Sequence, residues 1–198
     1  MTQLLIATHN KDKVEEIRGI LTGLDLSLVP LTDFPALPPT VEDADTLEGN
    51  ALKKAEDAFR ATGIPAVADD TGLEVFYLNG VPGVHSSRYA GEDASYADNR
   101  RKLLRRLRGV PPRRRGARFR TSVAFVPSNG THYLFEGICP GVIIEKEKGE
   151  GGFGYDAIFL PDGYAETFGE MELARKNTLS HRARAFQSFS EFLRRGKW

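Results

Sequence analysis

Residues 66–72 read Ala-Val-Ala-Asp-Asp-Thr-Gly, a short apolar run that leads directly into two carboxylates and a glycine. The apolar run predicts a buried strand over residues 66–68 that ends at the two carboxylates. Ligand sites in α/β proteins gather at such strand ends. This stretch therefore indicates a fold class and, at the same point, a candidate functional site.

Helical segments lie upstream of this strand. One helix begins at Asp45 or Thr46, where Asp45 and Glu48 have the spacing of a capping box. Still earlier, an apolar run over residues 4–7 predicts a first strand, which leads into a helix beginning near residues 11–13. Strand and helix therefore alternate in the first part of the chain.

Downstream, the pattern mixes hairpins with strand–helix units. Ser95 and Asp98 form a second candidate capping box, Asn129-Gly130 is a typical hairpin turn, and Ser180 precedes a last amphipathic helix. This mixture predicts an α/β domain with a central mixed sheet. The further strands are predicted over residues 119–126, 132–138, 142–147 and 157–160.

The composition limits the classes of protein that the chain fits. It has 198 residues, 40% of them hydrophobic, enough for a single domain over residues 1–198 with a sizeable core. The formal net charge is zero, so a global basic field for nucleic acid is absent. The single cysteine, Cys139, allows no intramolecular disulfide, and no apolar stretch has the length of a signal-sequence core or a membrane span. We therefore expect a soluble, cytoplasmic protein with neither a nucleic-acid nor a membrane partner.

The segment of residues 8–13, Thr-His-Asn-Lys-Asp-Lys, lies where the first strand meets the start of a helix. Free backbone N–H groups, a hydroxyl, an amide and ammonium groups together suit phosphate oxygens. The segment is not a glycine-rich Walker loop, and an ordinary capped helix accounts for the same residues. Both interpretations stay open from this segment alone.

Asp69 and Asp70 form a second polar group. Adjacent carboxylates at a strand end repel each other, and a divalent cation relieves that repulsion. Hard oxygen ligands suit Mg²⁺, which keeps several waters for exchange with phosphate oxygens. Glu42 and Asp43, in a loop before the second helix, offer a further carboxylate. An Asp-rich turn without a ligand is the alternative.

A literal G-x-G-x-x-G pattern occupies residues 149–154. It does not predict a dinucleotide-binding fold, because a strand-like segment follows it and too little chain remains. A loop that presents Phe153 or Tyr155 for stacking, with Asp156 at a base edge, is the functional interpretation. A glycine-rich hairpin connection with two core aromatic residues is the alternative.

Lys176 and the helix start at Ser180, His181 and Arg182 form the last polar group. Cations in the first turn of a helix oppose its macrodipole. The free-energy cost of these cations is explained if an anion or an electron-rich base edge binds there. The alternative is a pair of surface cations whose small cost the fold tolerates.

Several stretches of the chain, in order, carry a resemblance to a known family: ATHNKDK, NALKKA, ADDTGLEV, PGVHSSRYAGEDA, FEGICPGVI, GEGGFGYDAIFLP and LSHRARA. Together they resemble the inosine triphosphate pyrophosphatase family, whose members remove non-standard purine nucleotides such as dITP and XTP. The stretches cover nearly the whole chain, and the combination of ADDTGLEV, GGFGYD and SHRA is more specific than any one of them.

The resemblance implies an elongated α/β fold with a central mixed β-sheet, two lobes that flank a nucleotide-binding cleft, a homodimer, and Mg²⁺. It implies Glu42, Asp69 and Asp70 as metal ligands and Asp70 as general base, although the sequence around Glu42 departs from the commoner EETG pattern and leaves Asp43 as the alternative. The implied residues that bind the purine nucleoside triphosphate are Thr8, His9, Asn10, Lys11, Asp12, Lys13, Lys53, Thr71, Phe153, Gly154, Tyr155, Asp156, Lys176, His181 and Arg182.

The implied reaction is attack of water on the α-phosphorus, with pyrophosphate as the leaving group. Lys13, Lys53 and Mg²⁺ would neutralise the triphosphate, and Asp70 would deprotonate the water. Lys176 and Arg182 can only donate hydrogen bonds, so they would suit the O6 carbonyl of hypoxanthine and xanthine and leave adenine mismatched.

Two alternatives belong to other classes of protein. One is a house-cleaning pyrophosphatase for modified pyrimidine triphosphates. The other is an RNA-binding module that uses the arginines between residues 100 and 115. The zero net charge and the lack of aromatic residues among those arginines argue against the second.

Overall fold

The structure is a computed structural model that describes residues 2–127 and 131–196. It confirms the α/β class: within those residues, strands and helices alternate in the first half of the chain and mix thereafter. The strands are β1 Thr2–Ile6, β2 Leu26–Pro30, β3 Ala66–Val75, β4 Pro82–Gly83, β5 Gly116–Val126, β6 Tyr133–Ile143 and β7 Phe159–Pro161. The helices are α1 Lys11–Ile20, α2 Leu47–Thr62, α3 Tyr96–Arg106, α4 Leu173–Leu179 and α5 His181–Arg194.

The strands form one mixed sheet in the order β2-β1-β3-β5-β6-β7, with β4 paired to β3. Strand β1 runs parallel to both β2 and β3, whereas β3–β4 and β6–β7 are antiparallel. The parallel pairs are possible because α1 connects β1 to β2 and α2 connects β2 to β3, and a parallel pair needs such a crossover. The mixed sheet predicted from the sequence is confirmed.

The chain divides into two compact units. The first contains Met1–Asp70, Thr121–Gly137 and Arg182–Trp198, and the second contains Thr71–Arg120 and Ile138–His181. Strands β3, β5 and β6 each pass from one unit into the other along the chain. The single domain, the elongated shape and the nucleotide cleft stay predictions.

The first unit buries both faces of its part of the sheet. Leu4, Ile6 and Val67 pack in one cluster with residues of α1 and α5, whereas Leu5 and Ala66 pack in another with the alanines of α2. Successive side chains of a strand alternate between faces, so a strand covered on both sides has a continuous apolar sequence. This explains why the first strand has no polar alternation.

The second unit has a core of its own, which α3 covers. The predicted capping box at Ser95 is confirmed: Ser95 Oγ accepts from the backbone N–H of Asp98, and the Asp98 carboxylate accepts from the Ser95 N–H. With its start fixed in this way, α3 buries Leu103 in a cluster that contains Phe119 and Phe159.

Two helix predictions have different outcomes. The capping box at Asp45 and Glu48 is wrong, because Thr46 is the N-cap and its hydroxyl accepts from the Gly49 N–H at 3.1 Å. The last helix begins at His181, directly after Ser180, as predicted. Helix α4 has no counterpart among the sequence predictions.

No helix in the described ranges is long and apolar enough to cross a membrane.

The strand predictions fail mainly at boundaries. The strand end expected at Asp69 and Asp70 is wrong, and so is the alternative of an Asp-rich turn, because β3 continues to Val75 and pairs with β4 there. The separate strand at residues 142–147 is also wrong: its first residues belong to β6, which continues past the exposed Pro140 and pairs with β7. Residues 157–160 lie partly in a 3₁₀ turn that precedes β7. The Asn129-Gly130 turn lies outside the described residues.

Candidate active site

Asp69 and Asp70 lie inside β3, and consecutive residues of a strand point to opposite faces. The two carboxylates therefore contact different partners: Asp69 meets Lys13 and Arg182, and Asp70 meets Asn50 and Lys54. The repulsion expected between the two carboxylates is thus offset by the cations that contact each of them, Lys13 and Arg182 at Asp69 and Lys54 at Asp70. The two carboxylates and these cations all belong to the first unit.

Asp69 is fully buried between two cations. Its Oδ2 lies 3.1 Å from the Lys13 ammonium and 3.1 Å from Nη2 of Arg182. Burial opposes the charged carboxylate, but Lys13, Arg182 and Lys54 outweigh it and hold the pKa of Asp69 below its usual value. Asp69 is therefore an anion whose charge is balanced within the protein.

Arg182 completes a closed set of ion pairs. Its Nη1 donates to the Glu16 carboxylate at 2.5 Å, while Nε and Nη2 donate to Asp69. Burial opposes the guanidinium charge, yet Asp69 and Glu16 raise the pKa of Arg182. Since Lys13 and Glu16 both lie on α1, the set ties α1, β3 and α5 together. The guanidinium predicted to recognise the base thus contacts Asp69 and Glu16 in the first unit.

Asp70 has a different environment. Its carboxylate accepts from Asn50 Nδ2 at 3.2 Å and lies 3.4 Å from the Lys54 ammonium, which also binds Glu42 at 3.2 Å. Burial raises the pKa of Asp70 although Lys54 and Lys13 lower it, and Glu42 raises it further. A buried carboxylate with a raised pKa is a better proton acceptor than an ordinary one at neutral pH.

Asn50 connects the Glu42 loop to this carboxylate. Its Oδ1 accepts from the Ala44 N–H at 3.0 Å, while its Nδ2 donates to Asp70. The fully buried Asn50 side chain thereby fixes the loop that carries Glu42 next to α2. Sequence reasoning missed both Asn50 and Lys54. Their i, i+4 spacing on the predicted helix was the available signal, because it puts them on one face.

Lys53, the lysine chosen from the resemblance, lies outside this cluster. Its ammonium pairs with Asp43 at 2.6 Å, and the two side chains are 37% and 65% exposed. Lys54 and Asp70, by contrast, are 11% and 9% exposed. The structure therefore brings Lys54 rather than Lys53 to the buried carboxylate, and likewise Glu42 rather than Asp43.

The segment of residues 8–13 is a capped helix start. Asn10 Oδ1 accepts from the N–H groups of Asp12 at 2.9 Å and Lys13 at 3.3 Å, and Thr8 Oγ1 accepts from the Asn10 N–H. Burial lowers the pKa of Lys13, against the attraction of Asp69. The side chains of His9, Lys11 and Asp12 are exposed. Of these six residues, only Lys13 contacts the Asp69 carboxylate among the residues that the structure describes.

The second unit holds the glycine-rich segment. The carboxylate of Asp156 binds the Lys176 ammonium, and both side chains are buried. The same Asp156 oxygen accepts from the Phe153 N–H at 2.8 Å, and the Lys176 ammonium lies 5.0 Å from the centre of the Phe153 ring. Phe153, Asp156 and Lys176 therefore form one cluster, which agrees with the set of base-binding residues that the resemblance implies.

Tyr155 and His181 belong to the core of the same unit. The Tyr155 hydroxyl donates to the Ser86 carbonyl at 2.9 Å, and burial raises the pKa of Tyr155. The His181 ring stacks on Phe119 with centres 4.4 Å apart. Neither ring is an exposed stacking surface, so Tyr155 is wrong as the alternative to Phe153. Thr71 is half-buried and follows Asp70 in β3.

In residues 2–127 and 131–196, no three His, Cys, Asp or Glu side chains lie close enough together to hold a metal ion by themselves. Glu42 and Asp70 are nevertheless brought to one ammonium group, that of Lys54. Mg²⁺ commonly takes only one or two protein carboxylates and completes its shell with water and phosphate oxygens. This donor set therefore fits a magnesium ion that binds together with a phosphate ligand.

The mixed sheet and the carboxylate–lysine clusters on its central strand define an α/β protein with the kind of polar site that enzymes use. A model of the Ham1 family matches residues 4–192, and the chain belongs to that family. This confirms the resemblance found in the sequence.

Relatives and solved structures agree with this membership. The chain is 47% identical over 193 residues to a dITP/XTP pyrophosphatase of Geobacter sulfurreducens, covering 98% of this chain and 97% of the relative. A HAM1 protein structure from Coxiella burnetii matches with a TM-score of 0.88 and 35% identity, covering 98% of this chain and all of that one. The Staphylococcus aureus Ham1 structure matches with a TM-score of 0.87 and 33% identity, over 99% and 100% of the two chains.

Proposed function

We propose that the chain hydrolyses non-canonical purine nucleoside triphosphates (ITP, dITP and XTP) to the monophosphate and pyrophosphate, with Mg²⁺ as cofactor. The observation that carries the proposal is the buried Asp70 carboxylate, held by Asn50 and Lys54 beside Glu42 in a member of the Ham1 family. The relatives named dITP/XTP pyrophosphatase supply the class of substrate.

Asp70 is the proposed general base. It accepts the proton of the attacking water, and its raised pKa favours that transfer near neutral pH. Glu42 and Asp70 are the proposed metal ligands. When bound, Mg²⁺ supplies positive charge to phosphate oxygens and lowers the pKa of a coordinated water. We assign Asp69 to holding Lys13 in place, because two cations already balance its charge.

Lys13 and Lys54 are the proposed cations for the triphosphate. Both ammonium groups lie beside carboxylates of β3, where their own charges are held in position. Pre-positioned positive charge is the main protein contribution to this kind of phosphoryl chemistry. Lys54 replaces Lys53 in this role.

Base recognition is assigned to Phe153, Asp156 and Lys176. The Phe153 ring offers a face for stacking, and Asp156 orients the Lys176 ammonium beside it. An ammonium can only donate, so Lys176 suits the O6 carbonyl of hypoxanthine or xanthine and not the amino group of adenine. The homodimer implied by the family and the cytoplasmic location expected from the composition belong to the same proposal.

The test is pyrophosphate release from a panel of nucleotides, with and without Mg²⁺. ITP, dITP and XTP should be turned over far faster than ATP or GTP, and only with the metal. The products should be the monophosphate and pyrophosphate, so accumulation of IDP would contradict attack at the α-phosphorus. Faster turnover of modified pyrimidine triphosphates would instead favour that other class of house-cleaning enzyme.

A further inference from the structure

The segment that carries Phe153 depends on glycine for its backbone conformation. Gly149, Gly152 and Gly154 have φ angles of 80°, 67° and 59°, a region that residues with side chains rarely adopt. Glycine loses more backbone freedom on ordering than any other residue, so the order of this segment depends on its contacts, which include Phe153 N–H with Asp156 and Gly151 N–H with the Gly169 carbonyl. The contacts that hold it determine how firmly the Phe153 ring is placed.

Helix α3 supplies two such contacts from one face. Arg100 Nη1 donates to the Gly154 carbonyl at 2.9 Å, and its Nη2 lies 3.0 Å from the Glu147 carboxylate. The guanidinium thus bridges the two sides of the glycine-rich segment. A planar fork with several fixed donors can make both contacts at once, which a single ammonium point charge does less well.

Tyr96, four residues before Arg100, provides the second contact. Its ring centre lies 5.9 Å from that of Phe153, in a tilted arrangement typical of aromatic pairs. Residues at i and i+4 lie on the same face of a helix, so Tyr96 and Arg100 act from one surface. The Ser95–Asp98 capping box fixes the helix turn that carries Tyr96.

We infer that Tyr96 and Arg100 are positioning residues that clamp the glycine-rich segment and hold the Phe153 ring in the orientation that stacks on a purine. This rests on the proposed function for its ligand, a purine base, but the clamp itself is a property of the second unit alone. It also accounts for one arginine of the basic stretch at residues 100–115: Arg100 is turned inward, with its side chain 18% exposed.

The clamp acts on base binding and leaves the chemistry at the phosphates unchanged. Arg100→Met should therefore raise KM for ITP roughly tenfold, about the effect of losing a charge-assisted hydrogen bond, with kcat within about twofold of wild type. Binding of inorganic tripolyphosphate, which has no base, should be unaffected. Tyr96→Ala should raise KM by a smaller factor, and Tyr96→Phe, which keeps the ring, should behave as wild type.

The matched control is Arg101→Met, on the same helix, because Arg101 is 71% exposed and pairs with Asp98. It should change none of these quantities. An unchanged KM in Arg100→Met, or an equal weakening of ITP and tripolyphosphate binding, would overturn the inference, since a general loss of structure would affect both ligands.

If the wild-type protein does not hydrolyse ITP, the proposed function is refuted, but the clamp can still be tested by amide hydrogen exchange. Exchange at residues 149–156 should be faster in Arg100→Met than in Arg101→Met. Equal exchange rates in the two variants would show that α3 does not hold the segment.

Discussion

Lys54, and not its neighbour Lys53, contacts the proposed catalytic carboxylate, so substitutions at the two positions give a prediction and its control. Lys54→Met removes the ammonium that lies 3.4 Å from Asp70 and 3.2 Å from Glu42, whereas Lys53→Met removes one that pairs with the exposed Asp43. At an effective dielectric constant of 20, an ammonium and a phosphate oxygen carrying a unit charge about 3.4 Å away would interact by about 5 kcal/mol before desolvation is subtracted. Even a net fraction of this, such as 3 kcal/mol, corresponds to more than a hundredfold in a rate or binding constant.

We therefore expect kcat/KM for ITP to fall at least about a hundredfold in Lys54→Met and less than about threefold in Lys53→Met, where an exposed pair contributes little. Loss of the ammonium also leaves Asp70 and Glu42 without their shared cation. Mg²⁺ should consequently bind more tightly to Lys54→Met than to wild type in the absence of nucleotide, while the nucleotide binds more weakly.

Steady-state kinetics and calorimetric titration with Mg²⁺ measure these quantities, and a thermal melt of each sample checks that the fold is intact. Equal loss of activity in the two variants would refute the assignment of Lys54. Weaker Mg²⁺ binding in a folded Lys54→Met would refute the idea that Asp70 and Glu42 form the metal site.

Three further predictions concern neighbouring groups. Asp70→Asn should lower turnover by about a hundred- to ten-thousand-fold and leave the melting temperature no lower than that of wild type. Single-turnover kinetics and a thermal melt of the same sample measure the two quantities. A variant that keeps about a tenth of the activity would exclude Asp70 as the base. Arg182→Met should lower the free energy of unfolding by about 3–5 kcal/mol in urea titrations, because Asp69 and Glu16 lose a buried partner; a loss below about 1 kcal/mol would contradict that role. The lowered pKa of Asp69 means that its carboxylate stabilises the fold above the usual value of 3.8, and that this stabilisation is lost as the pH falls through the lower folded-state value. The unfolding free energy of wild type should therefore fall more steeply below pH 4 than that of Asp69→Asn, and parallel pH curves would show that Asp69 contributes no such dependence.

Much of the fold could be predicted from the sequence because the relevant signals are local. The apolar run at residues 4–7, the capping box at Ser95 and the start of the last helix after Ser180 depend on residues within one or two turns. The end of β3 could not be predicted in this way. Two adjacent aspartates are more typical of a turn than of a buried strand. They are stable inside β3 because of cations that come from other elements, which the local sequence does not show.

The site shows the same division. The structure brings together Phe153, Asp156 and Lys176, which only the family resemblance had joined, since the motifs put Lys176 in a separate polar group. The partner of Arg182 was not predictable, because Asp69 lies 113 positions earlier in the chain. No local pattern distinguishes a guanidinium that faces a ligand from one that is buried against a distant carboxylate.

The large sequence separation between Arg182 and its carboxylate partners has a consequence for biosynthesis. Arg182 and Glu16 are separated by 166 positions, and α5 is synthesised after every other element of the first unit's site. Contacts between such distant residues are slow to form, because the loop-closure entropy is lost before they are gained. A nascent chain that stops short of α5 leaves Asp69 with no guanidinium partner and Glu16 without its counter-charge. We therefore expect the ion pairs of Arg182 with Asp69 and Glu16 to form only after α5 has been synthesised, so that the surroundings of Asp69 are completed last.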